Sequence, residues 1–129
     1  MEEIIQACNS LWSSVVKKME VDFLKEKILF NLAVTDSGIE TNHILEISDY
    51  ESLIWIEKSQ NTHEEYDFKS CVYYEFTSIT FGNIQANSDD KWLKQYSLNY
   101  NIIIEIGESA LLIKSNTIVV DGVSYKIQA

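Results

Sequence analysis

Apolar residues two positions apart dominate the last third of the chain. Leu98, Tyr100, Ile102, Ile104 and Ile106 alternate with Asn99, Asn101 and Glu105, and residues 110–114 and 117–120 continue as short apolar runs. A period of two marks half-buried strands, because successive side chains leave a pleated backbone on opposite faces. Asp121-Gly122 then separates Val119-Val120 from Val123-Ser124-Tyr125. Two residues that tolerate positive φ between apolar runs specify a type I′ hairpin. This end of the chain is therefore expected to be antiparallel sheet.

The other end has a helical period. Ile4, Ile5, Cys8, Leu11, Trp12, Val15, Val16 and Met19 follow i, i+1, i+4, i+7 spacing, and Glu2, Glu3, Gln6, Asn9, Ser13, Lys17 and Lys18 fill the opposite face. Acid at the start and base at the end suit a helix dipole, so the pattern predicts an amphipathic helix over residues 3–19. From residue 23 the period falls to two, with Leu24, Ile28, Phe30, Leu32 and Val34 on one face and Glu26 the exception. Asp36-Ser37-Gly38 reads as a turn, and 43–48 and 52–58 as strands. Residues 70–81, SCVYYEFTSITF, are β-prone but keep no single apolar face, which predicts a bulge near Thr77-Ser78. Asn87-Ser88 before Asp89-Asp90 resembles an N-cap for a short second helix over 89–96. The expected fold is one α+β domain over residues 1–129, its N-terminal helix packed on a mostly antiparallel sheet of six to eight strands.

Composition narrows the function. The chain has 129 residues, 46% of them hydrophobic, enough for one core. It has no arginine and a net charge of −10, which argues against nucleic-acid binding, since that needs basic patches. No apolar run approaches the ~18 residues of a membrane span, and MEEIIQ carries acid where a signal peptide carries base, so a cytoplasmic protein is expected. Cys8 and Cys71 lack metal-ligand spacing and read as buried reduced thiols. Glycines 38, 82, 107 and 122 are scattered, and neither G-x-S-x-G nor H-E-x-x-H occurs. His43 stands three residues from Glu46, on the opposite face of a strand, and His63 lies in a polar segment. These features predict no enzyme activity, no cofactor and no metal; a hydrolase using His63 with Glu64 or Glu65 is the minor alternative.

Charge is unevenly placed. Residues 36–67 hold nine acids against Lys58, a balance of −8, whereas 1–35 and 68–129 each balance at −1. Acids around aromatic anchors speed encounter with a basic partner and repel acidic ones. The expected partner-binding face comprises Tyr50, Trp55 and Tyr66 as anchors, with Asp49, Glu51, Glu57, Glu64, Glu65 and Asp67 as steering charges. A solvated surface with no partner, a divalent-cation site, and a housekeeping domain that binds a small ligand or self-associates are the other readings of the same residues.

A helix with a central tryptophan, then DFLKEKILFNL, YYEFTSITF, DDKWLKQYSLNYNIIIEI and the terminal hairpin IVVDGVSYKI, follow one another along the chain. In this order of features the sequence resembles the small YxiG-like proteins of Gram-positive bacteria. The resemblance implies an immunity protein of a polymorphic toxin system, a cytoplasmic inhibitor that caps a basic toxin by offering carboxylates in place of phosphates. It implies no particular functional residue.

Overall fold

A computed structural model describes residues 2–57, 74–81 and 100–127. Among them are one helix, α1 (Glu2–Asn9), and nine strands: β1 (Ser14–Asp22), β2 (Lys27–Asp36), β3 (Ile39–Ser48), β4 (Ser52–Glu57), β5 (Tyr74–Phe81), β6 (Ile102–Ile106), β7 (Ser109–Lys114), β8 (Thr117–Val120) and β9 (Val123–Lys126). All their pairings are antiparallel. The expected α+β domain, a long helix on six to eight strands, is therefore overturned in favour of a mostly antiparallel nine-stranded sheet with one short helix. The expected helix at 89–96 lies outside the described residues.

The N-terminal half of the expected helix forms, and the second half is strand. α1 contributes Ile4 and Cys8 to the core. Ser10 Oγ then donates to the carbonyl of Ala7 at 2.7 Å, and Ser13 takes a left-handed φ of 63°. The chain leaves the helix there and enters β1. The register of β1 on β2 shifts between Val16 and Lys18, so Lys17 is bulged out. Val16, Met19 and Val21 all pack toward the core. A bulge turns the strand spacing of two into three, and Val15, Val16 and Met19 thereby imitate helical i, i+1, i+4 spacing. Cys8 is wholly buried, and burial pushes its thiol pKa up to about 12.

The strand expected over 23–34 begins instead at Lys27. Residues 23–26 form the β1–β2 turn, in which Asp22 Oδ1 accepts from the backbone N–H groups of Leu24 and Lys25 and Glu26 adopts φ 55°. Leu24 is therefore 97% exposed at a hairpin tip and does not belong to the core face. Glu26, the exception to the apolar alternation, is a turn residue. The other local expectations hold: Ser37-Gly38 and Asp121-Gly122 both have positive φ in two-residue turns. The pairing of β5 with β6 shifts between Phe76 and Ser78, placing the bulge at Thr77. That bulge lets Phe76 and Ile79, three apart, both face inward.

Strands pair in the order β4-β7-β6-β5-β1-β2-β3-β8-β9. β7 and β8 form one run of chain bent at Ser115-Asn116, and β3 and β4 another bent at Asp49-Tyr50-Glu51. β8 lies on β3 and β7 on β4, so both runs turn together. The path β1-β2-β3, across this corner, then β6-β5 and back to β1 returns to its start and encloses one core. Hydrogen bonds tie the corner together. Ser115 Oγ donates to the Ser48 carbonyl at 2.6 Å, and Asn101 holds the Ser115 carbonyl and N–H at 2.7 and 3.1 Å. The N–H of Glu51 donates to the carbonyl of Lys114 at 2.8 Å.

Ile28, Phe30 and Leu32 of β2 meet Leu45 and Ile47 of β3, Ile104 of β6 and Leu111 of β7 in this interior. Phe30 and Phe76 join the two sides edge to face, centroids 5.6 Å apart at 76°. Phe76→Ala would remove a fully buried ring from this contact and should cost about 3–5 kcal/mol. The loss is to be read as a lowered urea midpoint at unchanged m-value.

Candidate functional site

β4 carries Trp55 and Glu57 on alternate positions, so both side chains leave the strand on the same face as Leu53, which packs against the core. The pairing of β4 with β7 sets Glu57 opposite Ser109. Ser109 follows the two-residue turn Gly107-Glu108, in which Gly107 has φ 56° and its N–H donates to the carbonyl of Glu75 at 2.9 Å. That bond draws the turn against the start of β5, where Tyr74 pairs with Val16 of β1. The result is a cleft of about 710 Å³ between β1 and β4, lined by Val16, Met19, Trp55, Glu57, Tyr74 and Glu108 among others. Trp55 is 46% exposed and Tyr74 is also open to solvent.

Two lysines complete the lining, and each already has a carboxylate. Lys17 lies 3.8 Å from Glu40 and Lys18 2.7 Å from Glu20. Glu57 and Glu108 make no ion pair among the described residues. Among the described residues the uncompensated charge of the cleft is thus negative and sits beside aromatic faces.

Asp49, Tyr50 and Glu51, also expected in the partner-binding face, fall elsewhere. Asp49 is exposed at the corner with φ 53°. Glu51, also exposed there, pairs with Lys114 at 3.4 Å. Six residues of extended chain separate Glu51 from Glu57, roughly 20 Å at ~3.3 Å per residue, so these acids do not form one patch. Glu46 lies 3.9 Å from Lys27, and with Glu40 and Glu51 it makes a third acid of the run that faces a lysine across strands. Such exposed pairs contribute only about 0–1 kcal/mol, but they offset the local charge. Glu64, Glu65, Tyr66 and Asp67 lie outside the described residues, as does His63.

Tyr50 does not present an exposed ring. It is 8% exposed within the core, and its hydroxyl is buried with no hydrogen-bond partner among the described residues. Burial first, then the carboxylates of Glu26 and Asp22, raise its pKa above the usual phenol value. Removing an unpaired buried hydroxyl relieves a desolvation cost. Tyr50→Phe is therefore expected to leave stability unchanged or raise it by up to about 1 kcal/mol, measured by chemical denaturation.

His43 of β3 is engaged with the β8–β9 turn. Its Nδ1 lies 2.7 Å from Asp121 Oδ2, and its Nε2 lies 2.8 Å from Thr41 Oγ1. The connectivity matches that of an acid–base–nucleophile relay. The same atoms also staple the β8–β9 turn to β3, since Ile44 N–H donates to Asp121 Oδ1 and Asp121 N–H to the Ile44 carbonyl, both at 2.8 Å. Partial burial raises the Asp121 pKa, but the His43 hydrogen bond, the Ile44 N–H and the imidazole charge together bring it below the ordinary value.

A folded pKa below the unfolded one stabilises the fold above the unfolded value of about 3.9 and is lost as pH falls through the folded value. Asp121→Ala should cost about 1–2 kcal/mol near neutral pH, with the deficit shrinking in acid. Asp121→Asn, which suits the left-handed turn and keeps an acceptor for Ile44, should cost less. Urea midpoints at neutral pH and at about pH 3 check both.

Residues 4–125 match the family model described as YxiG-like protein. The chain belongs to the YxiG-like family. The match covers nearly all of the chain, including the corner and the cleft strands. Comparison with curated proteins gave no match. Among the described residues no helix is long and apolar enough to cross a membrane, and no group of three His, Cys, Asp or Glu could hold a metal ion.

Two exposed features of this YxiG-like chain are not legible in its sequence. Tyr74 and Glu108 join Trp55 and Glu57 only through pairing between strands far apart in the chain. The one local signal was Gly107-Glu108 between two apolar runs, which marks a tight hairpin. Phe23 and Leu24, 73% and 97% exposed, stand at the tip of the β1–β2 hairpin, which reaches the corner where Tyr50 N–H donates to the Glu26 carbonyl at 3.3 Å.

Proposed function

We propose that this chain is a non-enzymatic, stoichiometric protein-binding module, a cytoplasmic immunity protein that neutralises a basic toxin domain. The observation that carries this reading is the cleft where Trp55 and Tyr74 stand open beside Glu57 and Glu108, acids with no ion-pair partner among the described residues. Large aromatic side chains supply interface anchors, and acids around them attract basic surfaces and reject acidic ones. The net charge of −10 and the absence of arginine extend the same preference over longer range. Asp49 at the corner, and Glu64, Glu65, Tyr66 and Asp67 further along the chain, supply additional steering charge and contact area in this reading, while Glu51 is offset by Lys114. A second reading, a domain that binds a small ligand, is favoured by the volume of the cleft, which lies within the ~300–1,000 Å³ of small-molecule sites.

The test is co-expression with a toxin domain encoded beside this gene, followed by stopped-flow association of the purified pair. Protection of the cells and a 1:1 complex are expected. Glu57→Gln with Glu108→Gln should slow association and flatten its salt dependence, while Trp55→Ala should raise the dissociation rate about tenfold or more. A neighbouring toxin domain that is neither bound nor neutralised would overturn the immunity role.

A further inference from the structure

We infer that the cleft between β1 and β4 is a receptor for a single cationic side chain, a lysine or arginine presented by a partner protein. This rests on the reading of the cleft as a contact surface and names what it recognises. Three features of the cleft converge on that chemistry. Trp55 and Tyr74 supply exposed π faces, which attract ammonium and guanidinium groups, the indole most strongly. Glu57, opposite Ser109, and Glu108, next to Ser109, place two carboxylates at the same end of the β4–β7 ladder. A carboxylate accepts strong charge-assisted hydrogen bonds from either cation, and a guanidinium fork can take one bidentately. Val16, Met19 and Ile106 line the rest of the cleft with apolar surface, which suits the methylene stem of such a side chain.

The charge state of the lining selects the cation. Lys17 and Lys18 are held by Glu40 and Glu20, leaving the two glutamates as the charges without a partner among the described residues. A carboxylate or phosphate entering the cleft would meet the carboxylates of Glu57 and Glu108 and be repelled. A neutral side chain of the same shape would gain apolar contact alone. The turn that carries Glu108 is fixed by the Gly107–Glu75 backbone bond and by the left-handed φ of Gly107, so the site is set before any ligand arrives.

The inference is tested with capped amino acids as probes, which need no partner protein. Nα-acetyl-arginine-methylamide, Nα-acetyl-lysine-methylamide, the neutral isostere Nα-acetyl-citrulline-methylamide and free putrescine are titrated into the ¹⁵N-labelled chain. The readout is the Trp55 indole Nε1–H resonance, assigned by its loss in Trp55→Phe. The arginine and lysine probes should shift it with dissociation constants on the order of 1 mM, and the citrulline probe should bind at least about tenfold more weakly. Glu57→Gln with Glu108→Gln, both isosteric exchanges at exposed positions, should weaken the cationic probes about tenfold while leaving the thermal midpoint unchanged. Equal shifts from citrulline and arginine, no shift from either cationic probe, or undiminished binding by the double variant would overturn the inference. Putrescine binding tenfold tighter than either capped amino acid would overturn the assignment to a protein side chain. Cation binding without toxin neutralisation would overturn only the immunity role.

Discussion

The corner where two paired strands turn together is the constraint on which the rest of the molecule depends. β3–β4 and β7–β8 each bend, and each bend breaks the regular ladder and exposes backbone N–H and carbonyl groups that must find partners. Ser115 and Asn101 supply them: one hydroxyl reaches the Ser48 carbonyl, and one side-chain amide holds both backbone groups of Ser115. Asp49 accommodates the turn of its own strand with a left-handed φ. Because these groups are satisfied, the two halves of the sheet close on one interior. Phe30, Phe76, Leu111 and Ile118 therefore share a single core.

Two bulges make that closure compatible with the sequence. A strand that must bend around a core needs extra twist, and a bulged residue provides it while reversing the face of everything after it. At Lys17 and Thr77 the reversal keeps Val16 with Met19, and Phe76 with Ile79, on the inner face. The first bulge also sets Lys17 and Lys18 at the wall of the cleft, where Glu40 and Glu20 meet their charges. The cleft is then left with its two glutamates and two aromatic rings.

The legibility of the site follows the same division. Trp55 and Glu57 could be singled out because an aromatic beside acids on a short strand is visible in a local window. Tyr50 looks identical at that level, yet it packs in the core, because it sits in the bend and its ring turns inward. The acidic run from Asp36 is a fact of composition, but Glu40, Glu46 and Glu51 face lysines contributed by β1, β2 and β7. Linear charge density overstates surface charge wherever a cross-strand partner carries the opposite sign. The fold was misread for a related reason: one bulge gave β1 the spacing of a helix, and the pattern continued smoothly from the real helix before it.

By itself the sequence determined the local geometry that short-range sterics and alternation control. The turns at Ser37-Gly38 and Asp121-Gly122, the bulge near Thr77, the strands from Ile102 to Tyr125 and the buried thiol of Cys8 all belong to this class, since each depends on residues within a few positions. The tertiary structure alone decided where α1 stops, which way Tyr50 faces, which acids are paired and which residues wall the cleft. Those outcomes depend on pairings between strands as distant as β1 and β5 or β4 and β7, and hydrogen-bonded register between distant segments leaves no periodic trace in either one.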